Sequence, residues 1–269
     1  MTLHTVSRRL SLAWLLSTAA LLAACAGIAP PADPAARQAL APTGVLRVGV
    51  YAGSPTSLVR DPKTGKSAGV ALELGQALGR QLGVPVQLVE FSRLALVLEG
   101  VKAGTVDFSF TNATEVRARD MDFTDPLIRL ELGYLVPPQS TLTVGDVDRA
   151  GVRVGVAQGS SSQGALGRLY KNATVVPAAS LEAAQQMLRQ GQLDAFATNK
   201  GILFEMSDQL PGYRVLDGRW GLESLAIAIP KGREAGMPYL RQFARDVQTS
   251  GRLQAIVAAA GLRGLARAD

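Results

Sequence analysis

Residues 104–112 read GTVDFSFTN and residues 191–199 read GQLDAFATN, so one phrase (Gly, two residues, Asp, three residues, Thr-Asn) occurs twice. In each copy an apolar alternation, Val106-Phe108-Phe110 in the first and the less regular Leu193 and Phe196 in the second, predicts a short buried strand ending on the Thr-Asn pair. Polar side chains therefore stand at two equivalent strand ends. Each phrase also follows a similar opening strand, Leu46-Arg47-Val48-Gly49-Val50 before the first and Val152-Arg153-Val154-Gly155-Val156 before the second. Four identities alone are a moderate signal, and the shared context strengthens it into a repeat of two related α/β lobes.

Working outward, the turn residues Asp61-Pro62-Lys63-Thr64-Gly65-Lys66 predict a hairpin rather than a phosphate loop. Leu74, Leu78 and Leu82 form one helical stripe that Gly83 and Pro85 stop. A strand over 86–91 and a helix over 94–103 lead into the first phrase. The second lobe repeats the scheme: a strand over 152–156, Gly159-Ser160-Ser161-Ser162, a helix, a strand near Val175, a helix capped by Ser180, and a strand over 193–197. Alternating strands and helices imply a mostly parallel sheet whose strand ends open on one edge, the usual ligand side. Two C-terminal helices, over 234–249 and 251–260, have no counterpart in the second lobe and are expected to return to the first.

The N-terminus is set apart from the fold. Arg8-Arg9, the apolar run 10–22 and Leu22-Ala23-Ala24-Cys25 have the anatomy of a bacterial export signal ending in a lipobox. Residues 1–24 are read as the signal and Cys25 as the lipidated first residue of the mature chain; an ordinary secretory signal with an incidental cysteine is the alternative. Ser7-Arg8-Arg9-Leu10-Ser11-Leu12 partly matches a twin-arginine motif, for which a plain basic segment is the simpler reading. Residues 25–43, with Pro30, Pro31, Pro34 and Pro42 among alanines, read as an anchored, semi-extended tether, and folding is expected from Gly44 onward.

Cleavage before Cys25 removes His4, the single histidine, and leaves 26 of the 28 basic residues against 22 acidic ones. With no histidine and its one thiol acylated, the mature chain cannot carry Ser-His-Asp or Cys-His catalysis, a histidine-ligated metal or a disulfide framework. No cofactor or metal is expected. Basic residues are dispersed and aromatics few, so the charge reads as a solvated surface and not as a nucleic-acid footprint.

Thr114-Glu115-Val116-Arg117 followed by Asp122-Phe123-Thr124-Asp125-Pro126 resembles a Thr-Pro-Glu-Arg and Asp-Phe-Ser-Asp-Pro segment of the amino-acid-binding family of bacterial extracellular solute-binding proteins, the receptors of ABC importers. Residues 46–49, Gly69 with Glu73-Leu74, 102–107 and 159–161 support the likeness, which spans most of 44–269. It implies an α/β, two-lobed periplasmic-binding-protein fold of type II, each lobe a mostly parallel sheet flanked by helices. Lobe 1 would comprise 44–133 plus 225–269 and lobe 2 134–224, with hinge crossings near 131–136 and 221–228. The resemblance further implies a periplasmic, lipid-anchored monomer that captures a small carboxylate-bearing solute and delivers it to an ABC permease in the inner membrane.

By the same resemblance Arg117 takes the ligand carboxylate, a role that suits a planar, permanently charged fork. An isolated arginine would by default form an exposed ion pair, and Arg119 is read in that way. Thr111, Asn112 and Thr114 match the polar strand-end loop, which is shorter here than in the family pattern. Ser160 and Ser161 face the ligand from the second lobe or simply cap a helix, two compatible readings. Asn199 stands where amino-acid binders carry an aspartate for the ligand ammonium; it supplies an amide and no charge. Tyr51 and Ser54 also depart from the usual Asp and aromatic stacker. Ser54 and Phe91 are kept as ligand-facing candidates; Phe91 or Trp220 would supply the missing apolar wall, although core packing is the more common role for each. Two other functions remain open: a dehydratase on the same scaffold acting on prephenate-like acids, for which Glu223 is the nearest general acid but reads better as a hinge-strand surface residue, and a sensor receptor.

Overall fold

The computed structural model describes residues 33–267. The signal sequence, Cys25 and the first part of the tether lie outside them. The chain runs α1 (Pro34–Leu40), β1 (Leu46–Tyr51), β2 (Val59–Arg60), β3 (Ser67–Ala68), α2 (Val70–Leu82), β4 (Val86–Phe91), α3 (Leu94–Lys102), β5 (Ser109–Asn112), β6 (Met121–Phe123) and β7 (Ile128–Val136). It continues through β8 (Arg153–Ala157), α4 (Ser161–Leu169), β9 (Thr174–Ala178), α5 (Leu181–Arg189), β10 (Ala195–Asn199), α6 (Lys200–Gln209), β11 (Arg214–Val215) and β12 (Gly221–Pro230). It closes with α7 (Met237–Thr249) and α8 (Arg252–Ala259).

Two parallel βαβ cores are present. In the first lobe β1 pairs β4 in parallel, and Phe108, just before β5, bridges Val48 on the other side. In the second β8 lies between β9 and β10, all parallel. The long strands β7 and β12 pair antiparallel with each other from Leu132↔Gly221 to Ile128↔Leu225 and carry the chain between lobes. β12 also pairs β5, and β7 pairs β10. The two phrases thus end beside the crossings: Asn112 opposite Leu225, Asn199 opposite Leu132.

The repeat has a physical cause. Asp107 accepts hydrogen bonds from Arg47 N, Nε and Nη2 at 2.8, 2.9 and 2.7 Å, and Arg47 Nη2 also donates to Gly104 O at 2.8 Å. Asp194 accepts from Arg153 N, Nε and Nη2 at 2.7, 3.0 and 2.9 Å, with Arg153 Nη2 on Gly191 O at 2.6 Å. Gly104 and Gly191, which follow α3 and α5, have φ +68° and +66°, a left-handed conformation that glycine adopts without a Cβ penalty. The repeated Gly and Asp therefore dock each third strand on its opening strand.

Apolar burial follows the lobes. Leu46, Val48 and Val50 of β1 meet Leu74, Leu78 and Leu82 of α2 and Leu240, Phe243 and Val247 of α7 in one core. Leu253 and Ile256 of α8 join the same core. Tyr134, Val154, Val156 and Leu166 fill one side of the second sheet, and Leu188, Phe196, Leu203 and Met206 the other.

The tether reading is corrected from Pro34 onward. Asp33 Oδ1 accepts the Ala35 N–H at 3.1 Å as an N-cap, Pro34 occupies the first turn, and the helix buries Leu40 at 1 % exposure in the lobe 1 core. A fragment starting at Gly44 is therefore expected to melt about 5–10 °C below one starting at Asp33, from loss of a fully buried Leu. Equal melting temperatures by calorimetry would show that α1 adds nothing to the core.

Candidate functional site

The first wall is built by the end of β5 and the turn after it. Thr114 Oγ1 accepts the Arg117 N–H at 3.2 Å, which fixes the short 3₁₀ turn Arg117–Arg119. That turn sends Arg117 inward and Arg119 outward: Arg117 is 8 % exposed, Arg119 fully at the surface. Arg117 Nη1 donates to Thr111 Oγ1 at 2.8 Å and to Asn112 O at 3.1 Å. Both contacts leave from Nη1, so the Nε–Nη2 edge carries no hydrogen bond to the described residues and remains a two-donor fork for an anion. Burial lowers the proton affinity of this guanidinium, opposed by the negative charge that Glu223 can carry.

The second wall comes from lobe 2. Ser160 Oγ accepts the Gln163 N–H at 3.2 Å and caps α4. Ser161 Oγ accepts from Asn112 Nδ2 at 3.1 Å across the cleft, while Asn112 Oδ1 accepts the Ser224 N–H at 3.0 Å. Asn112 is thus a strut tying lobe 1 to the crossing strand and to lobe 2. Asn199 is 5 % exposed; its Oδ1 caps α6 through the Ile202 N–H at 3.0 Å, and its side chain favours the charged form of the Glu223 carboxyl.

Glu223 overturns its reading as a surface residue. It is 7 % exposed, its Oε1 is buried with no hydrogen-bond partner, and it lines the same cavity as Arg117, Tyr51 and Asn199. Burial raises its carboxyl from the ordinary 4.5 to about 7, against the opposing pull of Arg117 and Asn199. Tyr51, at the end of β1, is pushed up to about 12, chiefly by burial, and stays a neutral hydroxyl. Arg93, at the start of α3, also lines the cavity, and its Nε is buried without a partner. The cavity between these walls measures about 50 Å³. That is room for a few waters, the scale of an amino-acid head group.

Thr111, Asn112, Arg117, Ser160, Ser161 and Asn199 line this cavity together. Four other candidates do not. Phe91 turns its ring onto Gly100 and joins the small core of Val101, Val106 and Met121. Ser54 is wholly buried and not among the lining residues, its hydroxyl bonded to that of Thr56 at 2.8 Å. Thr114 supports Arg117 from outside the cavity, its hydroxyl accepting the Arg117 backbone N–H. Trp220 packs against Tyr134, its indole N–H on Gly133 O at 3.1 Å. Sequence reasoning overlooked Tyr51 as a lining residue, Arg93 and Thr198, which also face the cavity.

Residues 46–260 match the bacterial extracellular solute-binding proteins, family 3. The chain belongs to that family. This solute-binding protein is 26 % identical over 192 residues to a glutamine-binding protein of Geobacillus stearothermophilus, covering 70 % of this chain and 73 % of the relative. Its fold superposes with TM-score 0.74 on the amino acid ABC transporter substrate-binding protein AbpA from Streptococcus pneumoniae bound to L-arginine, at 23 % identity, over 83 % of this chain and 97 % of that one. The ancestral amino acid-binding protein AncCDT-1, a precursor of cyclohexadienyl dehydratase, gives TM-score 0.70 at 23 % identity over 81 % and 95 % of the two chains. The family places this protein outside the cytoplasm as a solute binder, and the two structural likenesses bear on the fold alone.

Proposed function

We propose that this protein is the receptor of an ABC importer for a small carboxylate-bearing solute of the amino-acid class. The observation that carries the reading is Arg117: a desolvated guanidinium at the wall of a small cavity, held by one nitrogen, with its fork edge turned to no protein group. A carboxylate completes such a group, and the second cation, Arg93, disfavours a ligand without an acid. Lobe closure around the ligand, pinned by Asn112 on Ser161, gives a permease a surface that the open form lacks. Cleavage after residue 24, lipidation of Cys25, a tether from there to α1 and a monomeric state complete the proposal, with α1 joined to lobe 1 (44–133 plus 225–269) and lobe 2 as 134–224. A sensor role would use the same cleft.

One observation favours a second reading. A buried carboxyl titrating near 7 is what a general acid needs, so an elimination on a prephenate-like acid is the enzymatic alternative. Thermal shift of the full-length protein against amino acids, dicarboxylates and α-hydroxy acids separates the two. A ligand at a hundred times its Kd is expected to raise the midpoint by about 5–10 °C with no consumption of the ligand. Turnover of a prephenate-like acid establishes the enzyme instead.

A further inference from the structure

The geometry points to Glu223, on the crossing strand β12, as the receptor of the ligand's ammonium group, so that an amino acid is captured with release of one proton. The inference rests on the reading of this cleft as a carboxylate receptor and adds the second half of the ligand. Position 199 carries no charge here, so a ligand ammonium needs its anion from elsewhere. Glu223 is the acidic residue among those lining the cavity, and Asn199 lines the same cavity. Its Oε1 is buried and unpartnered, which is costly unless something in the cleft donates to it. Arg117 acts on it electrostatically but forms no ion pair with it, so carboxylate and ammonium have separate partners around one small cavity.

The proton balance follows. Without ligand, the buried carboxyl holds its proton to about pH 7. An incoming ammonium stabilises the carboxylate, and the carboxyl proton goes to the buffer. The charged or titratable groups that face Glu223 are Arg117 from the turn after β5 and Tyr51 from the end of β1. Arg93 from α3 lines the same cavity, while Thr198, Asn199 and Ser160–Ser162 from lobe 2 are neutral. Between pH 5 and 8.5 Glu223 is therefore the group in this set that changes charge. Affinity for an amino acid is expected to rise up to tenfold per unit as pH approaches 7 from below, then level off.

The experiment is calorimetry on the full-length protein with matched probes, L-alanine against L-lactate and L-aspartate against L-malate, in two buffers of different ionisation enthalpy from pH 5.5 to 8.5. The wild type is expected to prefer the amino member of a pair at least tenfold at pH 8 and to release close to one proton at pH 6. Glu223→Gln should abolish both the preference and the release while binding the hydroxy acid as well as before. Free-protein melting gives a readout that needs no ligand. The folded carboxyl holds its proton more tightly than the unfolded chain, so its contribution is present below pH 4.5 and lost as pH rises through 7. Glu223→Gln should lack that slope. Amino-acid binding with no proton release and undiminished in the Gln variant overturns the assignment. Preference for hydroxy acids also overturns it but leaves the Arg117 reading standing, whereas binding of neither pair overturns both.

Discussion

Arg117→Ala should abolish measurable binding of any amino acid or organic acid that the wild type binds, a loss of about 3 kcal/mol or more, a hundredfold or greater in Kd. The magnitude follows from desolvation. Removing one member of a hydrogen-bonded charge pair at a buried site leaves the other, here the ligand carboxylate, without compensation in a cavity too small to admit a full hydration shell. Arg117→Lys keeps the charge yet loses the fork, and should recover only part of the affinity. Neither variant should cost much stability, because the wild-type guanidinium is itself desolvated and tied to lobe 1 by two neutral contacts. Titration calorimetry with the strongest binder from the amino-acid panel decides it. Binding within a few-fold of wild type in Arg117→Ala would remove the carboxylate clamp.

The architecture was legible because it rests on a local device used twice. Gly, Asp and the arginine of the opening strand recur in sequence since each third strand is docked through the same fork. Arg117 was legible only through the segment around it; spacing could not tell it from Arg119, and the 3₁₀ turn does. Glu223 was misread because strand parity inverts at the crossing. Leu222 faces outward at 39 % exposure while Glu223 turns into the cleft. Alternation assigns acids to solvent, and a hinge strand bordered by two lobes has no simple solvent face. Phe91 failed for a related reason: at the end of β4, core and cleft begin on opposite sides of one residue, and hydrophobicity does not choose between them. The helix at 34–40 had a signal in Asp33-Pro34, an N-cap followed by a first-turn proline, which the alanine-rich composition masked.

The twin forks supply a comparison within one molecule, and it is expected to be unequal. Asp107→Ala should destabilise the protein by about 3–5 kcal/mol, and Asp194→Ala by about 1 kcal/mol. Asp107 is fully buried and receives Arg233 Nη1 at 2.6 Å in addition to Arg47, whereas the Asp194 and Arg153 side chains are 36 % and 42 % exposed. Burial alone would raise the Asp107 carboxyl, but the donors from Arg47 and Arg233 outweigh it and hold it below the usual carboxylate range. Its contribution is therefore present above the unfolded value and lost as pH falls through the folded one, so Asp107→Ala should also shallow the acid-unfolding transition. Urea titration of each variant at pH 7, repeated below about pH 3, measures both effects. Equal losses at the two positions would mean that fork geometry, not burial, sets the energy. The inequality has a topological source. Arg233 enters from the connection between β12 and α7, the segment by which the C-terminal helices return to lobe 1, so three distant parts of the chain converge on Asp107. Lobe 2 receives no such return, and its fork is left half open to water, where an ion pair of the same length holds the fold far less.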